Sequence, residues 1–577
     1  MVDMIPKRIH FLILVLLLSS TNAATAFTIN SYPNPTPPAH IWYVGGSGPG
    51  NYTTVQAAID NASSGDTIIV YPGPYRESLR LIKSLTLRGS NRPGLHSHGN
   101  ATLTILADEC TLQNFNLYGG DKQTAVQCFS SYNTITDCAF FHTDLELLLK
   151  NASHNSIIDN RFFGNGSGIR LTNASSNTLC NNSITGHYWQ LRIEVSSQHN
   201  RIEQNTISDS IIYEGIIIGA NCSWNQICNN TIASNNYGGI LVSGGEYLTI
   251  VNNTFLENSL VFEVPSPLIE TYTIQGNTIN GRPLYIGINL NGGSVPENAG
   301  QIQLYNCTNV RIQNCTPTES SPGILIVNCS RITITRNTLV YTDVSDQPRY
   351  GFRADNSDTL IIDNNTLAYA GYLIIIGHST NVTIIRNILQ NAEYDGVEIW
   401  YSPGAVITKN ILINISDNAI DNWFSDTCHI ANNTIRNSGD GITLTNVRGC
   451  TLASNLIVNS TYKGIVCYLG RLSTISGNTI LGSGSGVYLS DSVLVTITGN
   501  NFICNKVNAF FVNSLSCRWS RNYWNRHIGI GPKIVAGTIV IVIEPQVSHE
   551  PYRYIILPVL RLDKLPAHTP YPYTENL

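Results

Sequence analysis

The sequence predicts an all-β protein, a single right-handed parallel β-helix closed at its N-terminal end by a short helix. Three observations lead there. The first is a period: Asn, any residue, then Ile, Leu or Phe recurs at Asn160, Asn182, Asn205, Asn230, Asn253 and Asn277, in steps of 22, 23, 25, 23 and 24 residues. After a step of 37 the series resumes at Asn314, Asn337, Asn365, Asn387, Asn410, Asn433, Asn455, Asn478, Asn501 and Asn522, and backwards it reaches Cys138 and Asn114. A fixed residue at a period near 23 is the mark of a solenoid. The second is a Gly-apolar-x-apolar segment about 14 residues before each Asn, as in Gly168-Ile-Arg-Leu and Gly441-Ile-Thr-Leu, which is too short and too β-branched for a helix and alternates as strands do. The third is composition: 12% charged, 46 Gly, and two Met confined to the first four positions. A leucine-rich repeat would need a leucine frame and a helical back, and neither is present.

Roughly 18 coils of about 23 residues, stacked about 4.8 Å apart, make a rod on the order of 90 Å long. Side-chain amides of the Asn column can then hydrogen-bond to one another along the axis at a turn. Near-balanced charge, 33 basic against 38 acidic residues, argues against a nucleic-acid partner, and 42% apolar content excludes a disordered chain.

Taken in order, residues 1–26 read as a secretory signal. Lys7 and Arg8 precede an apolar run from Ile9 to Leu18, and Ala24-Thr25-Ala26 offers a small-residue cleavage site. Residues 27–41 form a Pro-rich linker. Residues 42–100 form the N-terminal cap and first coils, where Thr53 or Thr54 can cap a helix over Val55-Gln-Ala-Ala-Ile-Asp60 that ends by Gly65, and Asp66 to Tyr71 is the first strand. Residues 101–524 are the β-helix proper, and 525–577, with its several Pro and Tyr, an irregular cap or tail. The mature chain is expected to lack a transmembrane segment, since Ile534 to Ile543 is too short. All 14 Cys lie after the signal, which suits an oxidising, extracellular location. The 18 Asn-x-Ser/Thr sequons suggest glycosylation, although Asn181, Asn229, Asn252, Asn364 and Asn432 arise from an Asn-Asn-Thr/Ser string that the repeat itself favours.

Two segments carry a resemblance. Val55-Gln-Ala-Ala-Ile, Ser64-Gly-Asp-Thr-Ile-Ile-Val-Tyr-Pro-Gly-Pro-Tyr-Arg-Glu77 and Ser84-Leu-Thr-Leu-Arg-Gly89 resemble the opening segment of the pectin-lyase-like β-helix superfamily. Asn277-Thr-Ile-Asn-Gly-Arg-Pro-Leu-Tyr285 and Ala299-Gly-Gln-Ile-Gln-Leu-Tyr-Asn-Cys-Thr-Asn-Val310 are similar to the long-coil insertion of NosD-like surface β-helix proteins. The resemblance covers most of residues 42–524 and implies the fold. It implies little about activity: the Gly-His-Gly and Arg-Ile-Lys of polygalacturonases and the Arg-x-Pro-x-x-Arg of pectate lyases are missing. Tyr75-Arg-Glu77 resembles a pectin methylesterase segment without that family's downstream acids, and is read as structural. The namesake's copper chemistry favours Met and Cys; the mature chain has no Met, and among its His only His96 and His98 are paired.

Stacking residues at equal offsets gathers charge at one place. Glu398-Ile-Trp400 and Asp421-Asn-Trp423 lie 23 residues apart, so their carboxylates and indoles should stand side by side, pointing outward. Asp395, Asn418 and Asp440 extend the patch, Arg353 and Asp355 border it, and Tyr394 lies beside it. Paired carboxylates suit glycoside cleavage by Glu398, Asp421, Asp395, Asp440 and Arg353, or a Ca²⁺ site of the kind a polysaccharide lyase uses. Trp400, Trp423 and Tyr394 suit sugar stacking. Exposed acids and aromatics also populate any sheet this long. Cys307 and Cys329, and Cys428 and Cys450, recur at 22-residue spacing on adjacent strands, as disulfides or as buried thiol stacks. The expectation is a secreted or surface β-helix with a structural or adhesive role and a polysaccharide or cell-surface glycan as partner. A polysaccharide lyase, hydrolase or epimerase is the alternative, and copper handling in the manner of NosD the third.

Overall fold

The computed structural model describes residues 39–573, except 98, 120–122, 142, 319–320, 342–349, 526–532 and 544–552. The expected signal and most of the linker lie outside these residues. From His40 onward the chain is a parallel β-solenoid of about 21 turns. Three strands of three to six residues make each N-terminal coil, and each strand pairs in parallel with its counterpart one coil away, as Thr134–Thr136 does with Ser156–Ile158. Eleven strands from Ile41–Val44 to Thr273–Gln275 form one face, and nine from Leu79–Leu81 to Leu260–Phe262 form another. Alternate residues point inward and are sealed: Ile157, Leu179, Ile202, Ile227 and Ile250 are all fully buried in one such row. No helix among the described residues is long and apolar enough to cross a membrane.

The count exceeds the expected eighteen because the opening coils, with strands Ile41–Val44, Thr67–Val70 and Thr86–Gly89, carry no column Asn. Ile41–Val44 is also the first strand, ahead of the one expected from Asp66. Helix Val55–Asn61 buries Val55, Ala58 and Ile59, an i, i+3, i+4 stripe, against these first strands. Thr54 makes no side-chain cap. Glu77 does instead, its carboxylate accepting the backbone N–H of Val55 (2.8 Å) and Gln56 (2.9 Å). The helix runs to Asn61, and Lys83 Nζ donates to the carbonyls of Asp60 and Ala62 at its end, so each charge opposes the helix dipole. Glu77 thus has a structural task.

The Asn column is a buried ladder in two runs, Asn160 to Asn277 and Asn337 to Asn522. Asn182 Oδ1 accepts both the backbone N–H (3.0 Å) and the Nδ2–H (3.1 Å) of Asn160, and Asn160 Nδ2 also donates to Ile135 O (2.8 Å). The same bonds link Asn182, Asn205, Asn230, Asn253 and Asn277, and then Asn337 through Asn365, Asn387, Asn410, Asn433, Asn455, Asn478 and Asn500 to Asn522. At the interior rungs both Nδ2 hydrogens and both Oδ1 lone pairs are used inside the protein. Three residues of the expected series sit one place off: Phe115, Cys315 and Asn500 occupy the ladder, while Asn114 and Asn314 precede it and Asn501 follows it. The residue before each rung is left-handed, for example Asn181 (φ 55°), Asn229 (57°) and Asn364 (56°). Asn tolerates that conformation, which explains the Asn-Asn string. A second buried ladder, Asn133, Asn155, Asn177, Asn200 and Asn225, serves another turn of the N-terminal coils.

A histidine–carboxyl contact is sealed within the coils. His187 Nε2 lies 2.9 Å from Glu146 Oε2, both side chains fully buried. Gln190 Nε2 donates to Ser208 O, so its Oε1 faces His187 Nδ1 (2.7 Å) and that nitrogen carries a proton.

The C-terminal segment corrects the expected irregular tail. Lys533–Ile543 and Arg553–Asp563 form an antiparallel hairpin, whose first strand joins the last coil at Phe510–Val512. Its long apolar run is strand; Pro558 stands within the second strand, paired opposite Thr538. Fully buried Asp563 closes the ladder, accepting from Asn522 N (3.0 Å) and Nδ2 (3.1 Å) and from Trp524 Nε1 (3.1 Å).

Asn410→Ala removes the acceptor of two buried donors on Asn387. It is expected to lower stability by about 2–4 kcal/mol, read as a lower thermal midpoint and faster amide exchange at Asn387. The exposed Glu393→Ala, in the neighbouring coil, is expected to change stability by less than about 0.5 kcal/mol.

Candidate functional site

The outward row of the sheet bearing the Gly step runs Arg353, Ile375, Glu398, Asp421, Thr443, each in register with the next. The row two residues on runs Asp355, Gly377, Trp400, Trp423, Thr445. Glu398 and Asp421, and Trp400 and Trp423, are therefore strand neighbours, about 4.8 Å apart at the backbone. Asn418 pairs with Asp440 as expected, beside a register irregularity between Ile415 and Asn418.

Two features differ from a simple outward patch. The acids are not washed by solvent: Asp395 is 6% and Asp421 5% exposed, because the neighbouring side chains close over them. The indoles are not stacked on each other. Trp400 lies back over Gly377, where an added Cβ would meet the ring at 2.6 Å, and packs edge-on to His378. Trp423 turns its Nε1–H to Asp421 Oδ2 (2.5 Å) and leaves the indole 45% exposed.

Burial sets the electrostatics. It pushes Asp421 up to about 8, helped by the nearby Asp395 carboxyl and opposed by the Trp423 hydrogen bond. It pushes Asp395 up to about 7, against two hydrogen bonds that Asn418 donates to Asp395 Oδ1 (2.9 and 3.1 Å). Glu398 is raised by burial and held back by Arg353, and Asp440 is raised by burial and held back by Lys463. Arg353 Nε donates to Asp355 at 2.7 Å. Asp421 Oδ1 is buried without a hydrogen-bond partner.

Beside these rows Tyr350, Tyr372 and Tyr394 stack at 5.6 and 5.0 Å, so the expected Tyr394 is one rung of a ladder at 22-residue spacing. A cleft of about 210 Å³ opens between Tyr350, Arg353, Tyr372, Ile375, Glu398 and Trp400. A larger one of about 550 Å³ adjoins it across Arg353 and Trp400, walled by Val261–Pro265. Glu263 in that wall has no periodic signal, because the covering segment belongs to the irregular long-coil region, whereas His378 stands on a regular coil and heads a stacked column with Tyr401 (5.3 Å) and Phe424 at 23-residue spacing.

The cysteines are thiols throughout. Cys307 N–H donates to Cys329 Sγ (3.3 Å), and the Cys428 and Cys450 thiols both contact Ser425 O, so each expected pair is brought together within a buried column, unbonded.

A solenoid whose sheet carries an acid row, an indole row and a tyrosine ladder beside a groove defines an extended-surface β-helix protein. A family model described as periplasmic copper-binding protein (NosD) matches residues 59–287, 270–413 and 342–540, and the chain belongs to that family. A cell surface glycoprotein of Methanothermus fervidus is 34% identical over 92 residues, 15% of this chain and 16% of the relative's length. Among solved structures, a DFA-IIIase from Arthrobacter chlorophenolicus A6 in complex with GF2 is 14% identical over 55% of this chain and 88% of its own, with a TM-score of 0.32. The catalytic domain of a GH87 alpha-1,3-glucanase in complex with nigerose is 12% identical over 68% and 66%, also at 0.32. Likeness at that level carries no argument about activity.

The described residues do not fit a copper centre. Both Met precede residue 5, most Cys are buried in the solenoid with thiols raised by desolvation, and His96 stacks on Tyr118 at 4.3 Å while His98 lies outside the described residues. Among the described residues no three His, Cys, Asp or Glu are grouped to hold a metal, Ca²⁺ included.

Asp395 and Asp421 hold their protons in the fold up to about pH 7 and 8 and lose them near pH 4 when unfolded. The stability these two groups contribute is then greatest in acid and falls as pH rises from about 4 to 8. The expected observation is that the thermal midpoint of the wild type relative to Asp421→Asn declines over that range and levels off above it. A flat difference would show that Asp421 titrates normally.

Proposed function

We propose that this chain is a secreted, surface-exposed β-helix protein that binds carbohydrate in the groove around Trp400 and Trp423. The observation that carries the reading is the half-exposed Trp423 indole, fixed by Asp421 and one strand away from Trp400, which lines a groove that crosses several coils. An indole presents an apolar face that matches a sugar ring, and polar groups at its rim can bond the hydroxyls. A groove lined by successive coils repeats its environment along the rod, which favours a polymer over a small metabolite. The surface location is supported by the apolar N-terminal segment, by the name of the Methanothermus fervidus relative and by the periplasmic description of the family.

The raised carboxyls of Asp395 and Asp421 support a second reading, cleavage of the bound polysaccharide. Groups that titrate near neutrality can give and take protons, with Glu398, Asp440 and Arg353 completing the acid and base set.

One experiment separates the two. Mature protein is incubated with neutral and uronate polysaccharides, and retention on polymer and product release are followed together. Retention without product, weakened about tenfold by Trp423→Ala, is expected for binding. Product release abolished by Glu398→Gln or Asp421→Asn would establish the enzyme. Neither signal would leave a purely structural rod.

A further inference from the structure

The first half of the solenoid ends against the outer face of the second. Outward side chains of the second half's early coils, Tyr305, Leu325 and Val327, pack into the same apolar cluster as Leu260, Phe262 and Ile279, where the first half runs out. Side chains pin the junction: Gln303 Nε2 donates to Leu260 O, the Tyr305 hydroxyl to Gln303 Oε1 (2.8 Å) and Asn328 Nδ2 to Ser266 Oγ (2.7 Å). The cleft of about 550 Å³ lies in this corner, so its walls are fixed by the fold.

The cleft has a closed end. Val327, Asp355, Gly377, Trp400 and Trp423 follow one another in register, one coil apart. From the exposed Trp423 the row passes Trp400 and Asp355 and reaches Val327, where residues 261–265 wall the cleft; Tyr305, next in the row, is 1% exposed. Polarity changes along the same path. The closed end is lined by Val261, Val264, Pro322, Leu325 and Val327, and the Tyr305 hydroxyl there is already spent on Gln303. Glu263 in the wall is exposed, and Arg353, Asp355, Asn356 and His378 enter the lining only toward Trp400.

We propose that this corner receives the end of a glycan chain and selects a terminal 6-deoxyhexose whose C6 methyl enters the apolar end, an inference that rests on the carbohydrate-binding reading above. A chain lying along the row from Trp423 meets the wall at residues 261–265, so a terminus fits there and an internal stretch does not. The volume is that of a small-molecule site, apolar within and polar at its rim. A methyl group gains by leaving water in the corner. A hydroxymethyl in the same place would give up its water and find no donor or acceptor, and an acetamido group would bury two polar atoms there. Ring hydroxyls then stand level with Arg353, Asp355, Asn356 and His378, and the next sugar comes up beside Trp400, continuous with the Trp423 surface.

Calorimetry and saturation-transfer NMR on the mature protein test this with two matched pairs, the methyl α-glycosides of L-rhamnose and L-mannose and those of L-fucose and L-galactose. Each pair differs only in a methyl or a hydroxymethyl at C5. The 6-deoxy member of the better-bound pair is expected to bind about tenfold tighter than its partner, with its methyl the most strongly saturated position. Val327→Thr, an isosteric change checked for folding by its thermal midpoint, puts a hydroxyl in the corner and should bring the two within about threefold. Val264→Trp, which fills the corner from its wall, should weaken both at least about tenfold. Equal binding within both pairs would overturn the methyl selection and leave glycan binding standing. A preference unchanged in both variants would place the sugar elsewhere and overturn the assignment to this corner. If none of the four glycosides binds while polysaccharide is still retained on the protein, the end-on inference falls alone; if polysaccharide is not retained either, the carbohydrate reading falls with it.

Discussion

The constraint on which the structure depends is the burial of backbone and side-chain amides at one turn of every coil. A parallel coil must bend there without water, and the N–H groups at the bend need acceptors. The Asn ladder supplies them from the next coil, so each coil takes its register from its neighbour. A slip of one residue would break two bonds per rung and turn the inward Ile and Leu rows to solvent. Everything the outer faces present is placed by this interior contact. Glu398 lies beside Asp421, and Trp400 beside Trp423, because Asn387, Asn410 and Asn433 hold their coils in step.

That constraint leaves a trace in the sequence, which is why the fold was legible and where it was misread is instructive. The period of the Asn column stood out, but two positions at the turn favour Asn for different reasons, one for its amide and one for its tolerance of positive φ. At residues 114 and 314 only the second applies, since Phe115 and Cys315 fill the rung, and at 501 the Asn follows a rung held by Asn500. The opening coils escaped because Val70 and Gly89 close their strands without either signal. The hairpin escaped because its pairing is between strands ten residues apart and antiparallel, outside any 23-residue comparison.

At the site, adjacency was readable and environment was not. Equal offsets place Glu398 and Asp421 on neighbouring strands whatever surrounds them. What encloses them is tertiary: Glu398 shares its cleft with Tyr350 and Tyr372, and the neighbouring cleft is walled by residues 261–265 from the irregular region before the second half of the solenoid. The separate paths of the two indoles depend on Gly377, one coil before Trp400. The family adds a scaffold and no chemistry here: of the soft donors that copper prefers, Met is missing among the described residues and most Cys are buried in the coils.

The ladder has a direction. Within each run an interior Asn gives two hydrogens toward the C-terminal end and receives two from the other side, so each run behaves as a one-way chain of donors. Asp563 ends the second with a carboxylate, which receives from Asn522 and has no hydrogen to hand on. Another molecule placed end to end would find no donor with which to continue the series. The length of the rod is therefore set within the chain, and it could be altered by duplicating interior coils far more readily than by adding subunits at its tip.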